Sequence, residues 1–287
     1  MYKVLFAMLI CLSALNSRAQ DEYWMPKQQW TFIAVVNGNS RGSLRGQDYS
    51  AIYISALLNY YPMKAYGITS TGTINTYYAA KYYLFGTSLA TMKYNFINTS
   101  TYTILDINTC TYNSSGITTS ASTNKCVNLN FNCQSNGSDT MGIQIYMSSI
   151  STTGANNLMG ASAANFTYIQ AFGGNTIYYG IASNGNDNYA DTAFARVSNY
   201  VERRASPNYS SLEFYQNGVL KKTSTSAAST RPNYTIYGGA NNASGSVNQA
   251  ITGTISYMGI TSVLEMSTAK VLESYNIDEI QRKTQGK

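Results

Sequence analysis

Two groups of side chains in this sequence have the types and spacing to do chemistry. The first is "SNGNDNYAD", Ser183 to Asp191, in which Asn184, Asn186, Asp187, Asn188 and Asp191 offer oxygen donors at closely spaced positions. Calcium takes about six to eight such oxygens, so this loop is a candidate calcium site. It lacks the acidic density and the bidentate glutamate of a strong site, and Asn-Gly-rich loops ordinarily turn these side chains onto their own backbone. The second group is Glu202 and Glu213, the nearest acids to one another that lie on predicted strands. Glycan hydrolysis needs two carboxyl groups about 5 Å apart in retaining enzymes. These two fall on different strands, and simple hairpin register gives Glu213 a partner in Lys222. The chain has no histidine and only 13 acids. That removes the usual general base, the Ser-His-Asp arrangement and most zinc sites together. No catalytic, cofactor-binding or metal-ligating residue is therefore assigned, and calcium at the Asn184 to Asp191 loop is the one ion to test.

Binding chemistry is better represented. The 26 tyrosines include the pairs Tyr60-Tyr61, Tyr77-Tyr78, Tyr82-Tyr83 and Tyr178-Tyr179. Neighbours on a strand point to opposite faces, so one ring of each pair is free to stack on a sugar while the other is buried. Half-burial of tyrosine in a sheet is the plainer reading. Lys and Arg number 19, against 13 acids. They are scattered, and no basic stripe interleaves with aromatics as nucleic-acid grooves require, so nucleic acid is not an expected partner.

The opening "MYKVLFAMLICLSALNSRAQ" has Lys3, an apolar run from Val4 to Leu15 and a short polar segment ending at Ala19. This is the layout of a secretory signal over residues 1–19, which predicts a secreted or cell-surface protein. The run is far short of the roughly 20 residues that span a bilayer, and no later segment reaches that length, so no transmembrane segment is expected in the mature chain. Ile10 before Cys11 argues against lipid attachment there. Export leaves Cys110, Cys126 and Cys133 in a compartment where disulfides persist. In "KCVNLNFNC" Cys126 and Cys133 lie on opposite strand faces, about 23 Å apart when extended, and cannot bridge. The expected pairing is Cys110 with Cys126, leaving Cys133 buried as a small apolar residue. Three reduced thiols is the alternative, because spacing alone does not fix pairing.

The elements that must position these groups are strands. From about Tyr94 onward short runs recur between turn residues: "TYTILDI", "CVNLNFNC", "MGIQIYMSS", "FTYIQAF", "TIYYGIA", "ARVSNYVERR", "SLEFYQ", "VLKKTS", "NYTIYGG" and "GTISYMGITSV". No helices alternate with them, which argues for a sandwich or barrel. In "SLEFYQNGVLKKTS" the Asn217-Gly218 pair suits a type I′ turn, setting Gln216 opposite Val219, Tyr215 opposite Leu220 and Glu213 opposite Lys222. "QDYSAIYISALLNYYP" reads as a helix stopped before Pro62. A terminal helix with Ser267 as N-cap should pack Ala269, Val271, Leu272, Tyr275 and Ile280.

"FYQNGVLKKTSTSAASTRPNYTIYGGANNASG", followed by "ITGTISYMGITSVLEMSTAKVLESYNIDEIQ", resembles the closing half of concanavalin A-like (laminin G-like) jelly-roll domains. The resemblance is to a subgroup found in uncharacterised tailed-phage and bacterial surface proteins. There, segments like "LFGTSLATMKYNFINTSTYT" and "NSSGITTSASTNKCVNLNFN" lie upstream. It runs from Tyr83 to Gln281 and is one of pattern. It implies an all-β, two-sheet antiparallel jelly-roll sandwich over residues 83–287 with a short C-terminal helix, preceded by a small N-terminal extension over 20–82. It also implies sugar binding, adhesion or, less often, glycan hydrolysis. The Glu-x-Asp-x-Glu strand of the jelly-roll glucanases is missing. Fold does not confer function, so two expectations stand, with a glycan hydrolase, which requires two carboxylates meeting across the sandwich, as a third. One is an exported non-catalytic module that binds a glycan or another surface polymer. The other is a structural or adhesive coat component, including a virion decoration or fibre domain, with a protein partner.

Overall fold

In strands rich in Ile, Tyr, Phe and Thr, alternate side chains reach the two faces of a sheet, and here one face of each sheet is apolar enough to bury the other. The computed structural model describes residues 76–84, 89–98, 100–151, 155–172, 175–190, 196–206, 208–262 and 264–284. The expected secretory signal, the expected N-terminal extension as far as residue 75 and the helix expected before Pro62 lie outside them. Two sheets stack as a sandwich. The first runs β13 (Val219–Thr225), β12 (Ser211–Gln216), β11 (Ser198–Arg204), β6 (Gly142–Ser151), β17 (Thr252–Thr261), β4 (Gly116–Thr119) and β3 (Thr111–Asn113). Strand β1 (Tyr78–Tyr83) pairs with the second half of β17. The other sheet runs β10 (Asp187–Tyr189), β9 (Thr176–Ser183), β8 (Phe166–Phe172), β7 (Asn156–Ser162), β14 (Thr235–Gly238), β5 (Cys126–Asn132) and β2 (Leu105–Ile107). A small hairpin, β15 (Asn241–Ala243) and β16 (Ser246–Asn248), joins this sheet through a parallel pairing of β15 with β7. Every other pairing between these strands is antiparallel, so the all-β two-sheet sandwich read in the sequence is the fold.

Between the sheets Ile143, Ile145, Ile255, Val201 and Phe214 meet Leu129, Phe131, Ile169, Ile177 and Tyr179, all buried. Phe214 and Tyr179 stack across the sandwich with ring centroids 4.9 Å apart. Cys133 is buried in this core, as expected, although it begins the one-turn helix α2 (Cys133–Asn136); helix α1 (Leu89–Met92) is equally short.

The Asn217-Gly218 turn forms with positive φ at both residues, 53° and 74°. Gln216 pairs with Val219 and Tyr215 with Leu220, but a bulge then shifts the ladder. Phe214 stands opposite Lys222, and Glu213 opposite Thr223. The expected Glu213–Lys222 pair is therefore not formed. An extra residue on β13 inverts which of its side chains face the core, and alternation alone does not locate a bulge.

Helix α3 (Thr268–Thr284) lies on the outer face of the first sheet, with the Ser267 hydroxyl accepting from the Lys270 N–H at 3.4 Å. Its buried face is Val271, Ser274, Ile277, Asp278 and Glu279, while Ala269 and Leu272 are exposed, contrary to the apolar spacing read in the sequence. The reason is Lys81 beneath it. The ammonium is buried and reaches Asp278 at 2.7 Å and Ser274 at 3.2 Å, so the helix turns a polar stripe inward. Among the described residues, no helix is long and apolar enough to cross a membrane.

Candidate functional site

The carboxylates Glu202 and Glu213 do meet. They are directly opposed on β11 and β12, but the Arg204 guanidinium is inserted between them. Arg204 Nε donates to Glu213 at 2.6 Å, Nη1 lies 3.1 Å from Glu202 and 3.1 Å from Glu265, and Nη2 reaches the Tyr215 hydroxyl at 2.6 Å. The Tyr215 hydroxyl in turn donates to Glu213, and the Met266 N–H donates to Glu202 at 2.9 Å. Burial pushes the Glu202 carboxyl up to about 8, against the pull of Arg204. Both acids are thus held as a structural cluster under the segment that leads into α3. A second buried cation, Arg203 on the core side, gives its N–H groups to the carbonyls of Ile181, Tyr209 and Ser226 and to the Ser183 hydroxyl. It seals one end of the sandwich.

Two of the loop donors are directed at protein partners, while Asn184 and Asn188 are exposed. Asp187 takes the Lys222 ammonium at 2.7 Å, a bridge between the edges of the two sheets, and Asn186 accepts from the Tyr168 hydroxyl at 2.7 Å. Burial would raise the Asp187 carboxyl, but hydrogen bonds from Lys222, Ser224 and the Asn188 N–H outweigh it and hold it below the usual carboxylate range. Asp191 lies outside the described residues. Among those described, no group of three His, Cys, Asp or Glu side chains could hold a metal ion.

Cys110 and Cys126 come together where the chain crosses from β2 to β3. The Cys110 thiol donates to the Cys126 carbonyl at 3.4 Å, and both side chains are buried as thiols. Asp106 holds the turn by accepting the Cys110 N–H at 2.9 Å and the Tyr112 hydroxyl. Burial pushes the Cys126 thiol up to about 12 and raises that of Cys110 as well.

The tyrosine pairs divide as strand geometry requires. Tyr82 and Tyr179 are fully buried in the core, and Tyr78 is buried under α3. Tyr77, Tyr83 and Tyr178 are half-buried, and Tyr60 and Tyr61 lie outside the described residues. Tyr83 spends its hydroxyl on Asp278 at 2.9 Å.

Tyr178 is different, because it stands on the outer face of the second sheet in a row that crosses four neighbouring strands. Register places Asn188 of β10 opposite Tyr178 of β9, Tyr178 opposite Gln170 of β8, and Gln170 opposite Asn157 of β7. At the usual strand spacing the row is about 14 Å long. At its β7 end Gln249 closes over the two amides, its Oε1 accepting from Asn157 Nδ2 at 2.6 Å and Gln170 Nε2 at 2.8 Å. Beside the row Phe172 is 42% exposed and meets Tyr178 edge-on, ring centroids 5.2 Å apart. Other rings of this face are structural. Phe166 and Tyr168 stack at 4.5 Å and lie over Gly180 and Gly160, where an added Cβ would fall 2.4 Å from Phe166 Cε2 and from Tyr168 Cβ. Among the described residues, Phe172 and Tyr178 are the rings available beside exposed Asn188. Strand alternation within "FTYIQAF" and "TIYYGIA" marks Gln170, Phe172 and Tyr178 as one face. The row's other members carry no such signal: β7 shows no strand alternation, and Gln249 arrives from a loop.

No family model and no curated protein matches this sequence. Solved structures do. The binding domain of botulinum neurotoxin serotype D superposes with a TM-score of 0.50 at 12% identity, covering 71% of this chain and 52% of that one. A second structure, described as the receptor binding domain of botulinum neurotoxin D, gives a TM-score of 0.50 at 12% identity over 71% and 53%. This chain spans about half the length of those domains. A carbohydrate-binding module of the Ruminococcus gnavus sialidase, bound to sialyllactose, gives a TM-score of 0.39 at 13% identity over 48% of this chain and 83% of that one. The botulinum likeness is one of fold, that of a β-sandwich.

Proposed function

We propose that this protein is an exported, non-catalytic module that binds a glycan or a glycan-like surface polymer on the outer face of its second sheet. The observation that carries this reading is the row Asn188, Tyr178, Gln170 and Asn157 with exposed Phe172 beside it. A carboxamide presents a donor and an acceptor in one plane, which suits hydroxyl groups that do both. An aromatic ring offers an apolar face to the C–H side of a sugar and, in tyrosine, a polar tip at its edge. A row across rigid strands holds these groups in place, so their own side chains incur little ordering cost at binding. The non-catalytic part rests on Glu202 and Glu213, whose carboxylates are committed to Arg204 and roofed by Met266. The botulinum likeness supports a binding sandwich without naming a ligand.

The test is a glycan array probed with residues 20–287, with and without calcium, followed by a search for shortened products. Saturable, calcium-independent binding without cleavage is the expected result, and cleavage or a requirement for calcium would count against the reading. The coat-component alternative draws on one observation: Val219, Leu220 and Leu272 are exposed where the hairpin tip meets α3. A stable oligomer in sedimentation, with no array signal, would favour it.

A further inference from the structure

The Asn157 side chain is fully buried, and its Oδ1 has no hydrogen-bond partner although its Nδ2 donates to Gln249. A buried carbonyl oxygen without a donor is costly to leave unmade. The group that covers it is a side chain from a loop, on a residue held at positive φ, 47°. Gln249 is exposed while its Oε1 collects both inward N–H groups, and its backbone carbonyl accepts the Asn157 N–H at 2.8 Å. Half of a ligand's hydrogen bonding is thus imitated: the acceptor for two amides is supplied, and the donor to Asn157 Oδ1 is not.

From this we infer that Gln249 is an internal stand-in for ligand, and that the site takes an uncharged sugar through a pair of vicinal hydroxyls. The inference rests on the glycan reading above and specifies its ligand class. When the Gln249 side chain swings out, one hydroxyl oxygen accepts from Asn157 Nδ2 and Gln170 Nε2, as Gln249 Oε1 does now. The neighbouring hydroxyl donates to Asn157 Oδ1 and satisfies the atom that the closed state leaves unmade. A carboxamide matches this geometry because its nitrogen and oxygen are side by side, as vicinal hydroxyls are. The sugar's apolar face then lies toward Tyr178 and Phe172. None of the residues forming the site is charged. The nearby Lys222 ammonium is already paired with Asp187, so nothing in the row recognises a carboxylate or sulfate. Binding must displace Gln249, and a competent state populated only in part weakens apparent affinity by that fraction.

Two substitutions of the same residue give opposite signs. Gln249→Ala removes the internal competitor and should tighten binding of neutral oligosaccharides, on the order of tenfold for two net hydrogen bonds. Gln249→Glu presents a carboxylate to the same two N–H groups, strengthens the closed state through charge-assisted bonds and should weaken binding. Each variant is titrated by calorimetry with neutral, sialylated and sulfated oligosaccharides, with a thermal melt to confirm folding. Tightening by alanine and weakening by glutamate, confined to neutral sugars, is the expected pattern. Weakening by both variants would make Gln249 a contact or a structural residue and overturn the inference. So would binding of charged glycans alone, or neutral binding indifferent to both changes, and either leaves the glycan reading standing. No binding to any glycan by any of the three proteins overturns both.

Discussion

Replacing Lys81 by methionine should loosen α3 from the sandwich, and its cost follows from what Lys81 touches. The ammonium is buried, 2.7 Å from Asp278, 3.2 Å from Ser274 and 4.2 Å from the centre of the Tyr78 ring. Asp278 is equally buried and also accepts from Tyr83 at 2.9 Å and Gln144 at 3.1 Å. Methionine keeps the volume and removes the charge, leaving a carboxylate in an apolar layer with two donors in place of three. Removing one member of such a pair costs about 3–5 kcal/mol. For a domain of this size that is a fall in Tm of about 6–20 °C. Burial already raises Asp278 above the usual carboxylate range and lowers Lys81 below the usual lysine range, each opposed by the other partner. Without Lys81 the carboxyl rises further and takes up a proton in the folded state. A folded pKa above the unfolded one gives stability that is present at low pH and lost as pH rises through the folded value. The Lys81→Met deficit should therefore be small in acid and grow toward neutral and alkaline pH. Thermal and urea unfolding between pH 4 and 9 would show this, and adding Asp278→Leu should recover at least half of the loss. A single variant within about 1 kcal/mol of wild type, with no pH slope, would refute the reasoning.

Glu202→Gln should flatten part of the pH dependence of stability. With its carboxyl pushed up to about 8, Glu202 favours the fold below about pH 4.5 and loses that contribution as pH rises to about 8, so wild type should weaken over this range more than the glutamine variant does in urea titrations. Phe214→Asp should abolish folding, because the ring is fully buried against Tyr179, whereas Leu220→Asp, at a position 37% exposed, should leave the circular dichroism spectrum and Tm nearly unchanged. We propose that Cys110 and Cys126, adjacent and buried, form a disulfide when the chain folds in the presence of a disulfide oxidant such as oxidised glutathione. Two thiols then give up two protons and two electrons to the oxidant, so in a protein of residues 20–287, which lacks Cys11, the intact mass should fall by about 2 Da and only Cys133 should react with a thiol reagent after unfolding. Three reactive thiols would count against it.

Much of the architecture was legible because it follows from alternation. Leu129, Phe131, Ile169 and Tyr179 each sit on the apolar face of a run whose period is two, and Asn217-Gly218 dictates its own turn. Three kinds of feature were not legible. The bulge on β13 breaks an alternation that carries no mark of it, and it lies beside a hairpin tip packed on α3, where an added Cβ at Gly218 would lie 3.0 Å from the Leu272 Cα. The polar inward face of α3 depends on Lys81, nearly 200 positions earlier in the chain. Strand β7, "NNLMGAS", pairs on both sides and is buried along most of its length, so it shows neither alternation nor a strong β-branched run. The row at Tyr178 is hidden in the sequence for the same reason: Tyr178 is legible as a candidate ring, but the row is assembled by register across β10, β9, β8 and β7, and register between strands is a property of the fold.

The claim that most needs testing is that recognition resides on this row. Tyr178→Ala removes a half-buried ring at its centre while leaving Tyr179 and the core intact. Wild type and variant should be compared on the same glycan array, with thermal melts alongside. A loss of tenfold or more in affinity, at a Tm within a few degrees of wild type, is the predicted outcome, since burying one aromatic side chain against ligand contributes on the order of 1.5–3 kcal/mol. Undiminished binding by a folded Tyr178→Ala protein would place the ligand elsewhere and contradict the account.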